Sequence, residues 1–124
     1  MGSVGGSVQV FPGFQTSDTM SKAAVASMTR KLAAEIMDGS IRINCVCPGA
    51  TETNMLKEST LNGMSPDQLS TFCAGLPGGR LIQPEEIADV VVFLASDISL
   101  TIHGAVIDAS MGLGVRPGKV SEAH

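Results

Sequence analysis

Ser21-Lys22-Ala23-Ala24-Val25, followed by Arg42-Ile43-Asn44-Cys45-Val46-Cys47-Pro48-Gly49, decides how this 124-residue chain is read. The first stretch lies in a pattern where Val25, Met28, Leu32 and Ile36 recur at helical spacing. It follows four residues of N-cap type, Thr16, Ser17, Asp18 and Thr19, which predicts a helix from about Thr19 to Met37. Ala23, Ala24, Ala26, Ser27, Ala33 and Ala34 leave that helix a second face on which another backbone can approach closely. Asp38-Gly39-Ser40 ends it, and Ile41 to Val46 is β-rich up to the Pro48-Gly49 turn, which predicts a buried strand.

Working outward, Val8 and Val10 alternate with polar Ser7 and Gln9, a weak strand signal stopped at Pro12-Gly13. Glu52 to Gly63 reads as a mobile connection. Ser65, Pro66 and Gln68 form a capping-box start for a short helix carrying Leu69 and Phe72. Pro84, with Glu85 and Glu86 behind it, opens a helix in which Ile87, Val90, Val91 and Leu94 repeat, ending near Ser96. Gly104 to Ala109 supplies a last strand. The order strand, helix, strand, helix, strand predicts an α/β fold with a small parallel sheet and right-handed crossovers. Residues 1–112 are expected to form one domain, and 113–124 a polar, flexible tail. Three strands make a thin parallel sheet that needs cover on both faces, so burial is expected to be completed by a homodimer, a higher homo-oligomer or another protein.

Composition narrows the function classes. The apolar share is 44%, yet only four Phe and no Trp or Tyr supply aromatic bulk, so packing relies on aliphatic residues and seven Met. A net charge of −4, with eight basic residues scattered along the chain, gives no electrostatic footprint for nucleic acid or anionic lipid. No apolar run reaches membrane-spanning length, and the N-terminus is Gly/Ser-rich rather than basic then apolar, so a cytoplasmic protein is expected. Cys45 and Cys47 are expected on opposite strand faces, which argues against a local metal clip, and together with Cys73 they read as reduced thiols. No metal is expected.

The two opening stretches, with Pro77 to Glu86 and Phe93-Leu94-Ala95-Ser96, resemble the C-terminal half of the short-chain dehydrogenase/reductase family, from about Ser3 to Gly112. The resemblance implies a Rossmann-like fold, NAD or NADP as cofactor, and hydride transfer assisted by a Tyr-x-x-x-Lys pair. Here that motif becomes Asp18-Thr19-Met20-Ser21-Lys22, which keeps the lysine and replaces the phenol by a carboxylate. A phenol holds its proton at neutral pH and can give it to a developing alkoxide; an exposed carboxylate is already ionised. The family serine falls near Ser3. The Pro48-Gly49 turn resembles the one that approaches the nicotinamide, and Thr53 resembles the threonine that bonds its carboxamide. The glycine-rich phosphate turn has no counterpart in this sequence. Nucleotide binding is therefore expected only if another chain completes the site.

Three readings follow. The first is an NAD(P)-dependent oxidoreductase that needs a second chain. The second, preferred on the sequence, is a cofactor-independent isomerase, cyclase or lyase acting on a small apolar metabolite, with Asp18, Lys22 and Ser3 in an oligomeric pocket. The third is a non-catalytic partner of a full-length relative. Beside the acid–base role stands a structural one, in which Asp18 caps the helix and pairs with Lys22. Cys45, Cys47 and His103 read as buried thiols and a hydrogen-bonded turn residue rather than a nucleophile with its base.

Overall fold

The computed structural model describes residues 1–115. Two strands, β1 (Cys45–Pro48) and β2 (Val106–Ala109), pair in parallel with Cys45 opposite Val106 and Pro48 opposite Ala109. The helices are α1 (Thr16–Glu35), a short α2 (Asn54–Leu56), α3 (Pro66–Ala74) and α4 (Pro84–Ala95). Alternation along β1 sends Val46 to one face, where it packs with Ile82, Ile87 and Leu94 of the α4 side. Cys45 and Cys47 point to the other face, toward the N-terminal segment and α1.

The third strand expected around Val8 to Val10 does not form. Residues Val4–Val8 coil instead into one irregular turn closed by Gln9 N donating to Val4 O (2.9 Å), with Gly6 at φ +92°. A side chain at Gly6 would run into the Thr19 carbonyl, so glycine lets this turn sit directly on α1. What survives of a third strand is one ladder bond, Gly2 N to Val46 O at 2.8 Å, on the edge of β1 opposite β2.

β1 also starts later than the expected Ile41. Ahead of it one backbone bond, Gly104 N to Ile43 O, is joined by side chains: Asn44 donates to Ile102 O and accepts from Ala105 N, and Ile43 N donates to His103 Nδ1. The long helix forms as expected, but its inward stripe is Ala26, Thr29 and Ala33, while Met28 and Leu32 stand 53% and 36% exposed. The reason is approach distance. A Cβ on Gly104 would sit 3.2 Å from Ala33 Cβ, so only small residues fit the helix face that meets the β2 entrance.

The remaining elements follow their local signals. Ser65 Oγ accepts from Gln68 N while the Gln68 side chain accepts from Ser65 N, the capping box that starts α3. Glu86 bonds back to Gln83 N ahead of α4. The α4 end is closed by Arg42, which donates to Ser99 O, Ser99 Oγ and Ser96 O. The segment read as a mobile connection is helical from Asn54 to Leu61. Residues 111–115 turn back through Leu113 N to Ser110 O and Val115 N to Gly112 O; the rest of the expected tail, 116–124, lies outside the described residues.

Candidate functional site

Lys22 sits on the second turn of α1, where the carbonyl of its own residue accepts a 2.6 Å hydrogen bond from Ser7 Oγ. That bond fastens the N-terminal turn to the helix. Ser7 carries no sequence signal for this role, because its partner lies 15 positions away. Ser3, which was singled out, spends its side chain locally: Ser3 Oγ accepts from Gly5 N, and Ser3 N donates to Ser7 Oγ.

Asp18 lies in the first turn of α1 and is exposed. It is not the cap, since Gln15 occupies that position without a side-chain bond. A carboxylate in a first helical turn is favoured by the helix dipole, which explains its tolerance there. The expected Asp18–Lys22 ion pair is not made; the ion pairs among the described residues are Lys31–Glu35, Lys57–Glu52 and Arg80–Glu86.

At the carboxyl end of β1, Gly49 N donates to Ala109 O and Thr51 Oγ1 to Gly49 O. Gly49 is pressed against β2's continuation: a Cβ there would stand 2.9 Å from both Cα and Cβ of Ser110. Ser110 is buried and its Oγ accepts from Gly114 N. Thr53 Oγ1 accepts from Leu56 N and thereby caps α2. Pro48, Gly49 and Thr53 thus follow one another at the carboxyl end of β1, where the missing side chain of Gly49 lets the chain press against Ser110. The resemblance assigns these three residues to the nicotinamide end of a dinucleotide. Nothing in the 124 residues supplies the strand–glycine turn–helix that grips its phosphates.

The segment after Thr51 is latched down. Glu52 N donates to Ile82 O and Ile82 N to Ala50 O. The Glu52 carboxylate then accepts from Gln83 Nε2 (3.0 Å) and pairs with Lys57 (3.2 Å), and these two partners hold it below the usual glutamate range. Beside it, the Arg80 guanidinium grips Glu86 through two bonds of 2.7 and 2.6 Å and, with the Gln83 N–H, brings that carboxyl down to about 2. A shallow apolar depression lies next to this latch, lined by Ala50, Leu76, Pro77, Ile82, Met111 and Leu113 among others.

Cys45 and Cys47 do not face opposite ways. Residues two apart in a strand share a face, and their sulfurs lie 3.7 Å apart, both buried. Burial, then the neighbouring Cys45, pushes the Cys47 thiol up to about 11. His103 has the expected structural role and a larger one. Its Nδ1 accepts from Ile43 N, and its Nε2 lies 2.9 and 3.0 Å from the carbonyls of Ala33 and Ile36. Carbonyls only accept, so Nε2 carries the proton and the ring closes the end of α1. Among the described residues no three His, Cys, Asp or Glu converge on one point, and no helix is long and apolar enough to cross a membrane.

This arrangement has clear counterparts. The family model described as enoyl-(acyl carrier protein) reductase matches residues 1–114. A dehydrogenase/reductase SDR family member 6 from Xenopus laevis is 40% identical over 96 residues, 75% of this chain and 39% of that protein. The 3-oxoacyl-(acyl-carrier-protein) reductase of Thermotoga maritima is 40% identical over 99 residues, covering 80% of this chain and 38% of the other. Among solved structures, an actinorhodin polyketide ketoreductase with NADPH superposes with a TM-score of 0.79 at 28% identity, over 91% of this chain and 45% of that one. A short-chain dehydrogenase family protein from Francisella tularensis gives 0.78 at 32%, over 92% and 49%. The chain spans about two fifths of the curated relatives it matches. With the match running almost end to end, and the parallel pair, the lysine helix and the Pro-Gly turn in the corresponding order, the chain belongs to the short-chain dehydrogenase/reductase family.

Proposed function

We propose that this chain presents the nicotinamide- and substrate-facing side of an NAD(P)-dependent oxidoreductase fold. In this reading it works in the cytoplasm within an oligomer, or against a second polypeptide that brings the phosphate-binding turn. The supporting observation is the order of Pro48, Gly49 and Thr53 at the carboxyl end of β1, followed by the latched segment from Glu52 to Leu61. The NADPH in the solved ketoreductase agrees with it. In this role the Gly49 backbone and Thr53 Oγ1 hold the nicotinamide end, Lys22 supplies positive charge, and the cofactor supplies the hydride. Asp18 stands where relatives carry a phenol, so alkoxide protonation by this chain is slow.

The preferred reading from sequence, acid–base chemistry by Asp18 and Lys22 without a nucleotide, asks for a second surface to roof an exposed Asp18. One experiment separates the two. NADPH fluorescence is titrated with the chain alone and with the chain mixed with the N-terminal half of a related reductase, using the native protein and Asp18→Tyr. The oxidoreductase reading expects micromolar binding in the mixture and a gain in ketone reduction of ten-fold or more for Asp18→Tyr. No binding in the mixture overturns it, and loss of a nucleotide-free turnover in Asp18→Asn supports the other.

A further inference from the structure

The reading above leaves the buried face of β1 without a task, although two sulfurs and a hydroxyl converge there. Cys45 and Cys47 are 1% and 0% exposed, and their sulfurs touch at 3.7 Å. Above them sits Gly2: a Cβ on it would stand 2.8 and 2.9 Å from the two sulfurs and 2.6 Å from Ser7 Oγ. The space is thus closed by backbone, with no volume for a bridging ion or an added group. We propose that Cys45 and Cys47 are a dithiol modification site, oxidised to a disulfide within the strand by a small two-electron oxidant of the hydroperoxide class, and guarded by the turn from Gly2 to Ser7.

The chemistry balances in two steps. One thiolate attacks the hydroperoxide, forming an S–O bond as O–O breaks and the departing oxygen takes a proton to leave as water or an alcohol. The second thiol attacks that sulfenic sulfur, S–S forms, S–O breaks, and water leaves. Two cysteines are oxidised and one hydroperoxide is reduced. Proximity decides the second step, because the partner sulfur is already in van der Waals contact and reaches the sulfenic acid before a second oxidant does. Two residues of extended strand span about 6.6 Å between Cα atoms, and side chains on one face keep roughly that spacing at Cβ, beyond the roughly 3.5–4.5 Å that a disulfide spans, so β1 must buckle between Cys45 and Cys47 for the bond to close. The bond therefore forms under tension and returns readily to dithiol with a thiol reductant.

The guard follows from the same packing. With the turn seated, the Cys47 thiol stays protonated and out of reach, so it is a poor nucleophile. The turn is held by Gly2 N to Val46 O, by Ser7 Oγ to Lys22 O, and by Gly6 against α1. Lifting it exposes both sulfurs together. Cys73, half-buried on α3, lies outside this arrangement and is replaced in the test so that only the pair is read.

The test uses the full chain carrying Cys73→Ser, fully reduced, treated with hydrogen peroxide, denatured, alkylated and weighed intact. The expected product is 2 Da lighter and takes up no alkylating agent, and dithiothreitol restores two alkylatable thiols. Cys45→Ser and Cys47→Ser in the same background give no such product. Gly2→Ala, and the milder Ser7→Ala, are expected to speed the loss of both thiols at least ten-fold. A sulfinic acid on one cysteine with the other still alkylatable overturns the site. Rates unchanged in both turn variants overturn the guard.

Discussion

His103 shows how much a single side chain does here: a ring on the approach to β2 joins the end of α1 to the entrance of β1. His103→Ala leaves Ile43 N and two helix-end carbonyls without partners, and is expected to cost about 1–3 kcal/mol, read from thermal unfolding. Gly49 is a second such position. Gly49→Ala forces a methyl to within 2.9 Å of Ser110 backbone, an overpacking expected to cost about 1–3 kcal/mol by the same measurement. The sequence named both residues and explained neither fully. A lone histidine beside a glycine signals a turn, whereas its three backbone partners lie on segments 60 to 70 positions away. Ser7 escaped for the same reason, and Cys45 and Cys47 were misplaced by a wrong phase for strand alternation, which their spacing of two should have corrected.

At the scale of elements, the Glu52 carboxylate fastens Thr51 to Leu61 onto Gln83, whose backbone N–H is held in turn by Glu86, and both carboxyls lie below their ordinary range. Glu86 sits at about 2 against an ordinary 4.5, so its contribution to the folded state is complete above about 4.5 and is lost as pH falls toward 2. Glu52 acts in the same sense. Both are exposed and screened by salt, so the expected effect is local. Amide exchange in Glu52 to Leu61 is expected to speed up relative to α1 as pH drops through this window, after correction for intrinsic rates, and Arg80→Ala should move the Glu86 titration up toward 4.5 in an NMR titration. α1, α3 and α4 were legible because caps and periodicity are local. The sheet was not, because whether Val8 to Val10 pairs depends on what Gly5 and Gly6 let the chain do next, and the start of β1 depends on Asn44 and His103 standing in for backbone. The inward face of α1 was read from its large residues when closeness of approach selected the small ones.

At the scale of the whole molecule, α1 presents Met20, Met28 and Leu32 on its outer surface, and Met37, Ile98 and Leu100 are exposed at the opposite end of the sheet from Pro48. Monomers rarely leave so many large apolar groups uncovered, so self-association through α1 is expected. Light scattering behind a sizing column should report a dimer or larger, and Met28→Glu with Leu32→Glu should return a monomer of unchanged helix content. The parallel register adds a kinetic consequence. Asn44 and Ala105 are bonded across 61 positions, so the strand pair cannot zip from a hairpin and must await the arrival of everything between. Late pairing leaves the backbone edge of β1 bare during refolding, so the yield of native protein is expected to fall as the refolding concentration rises.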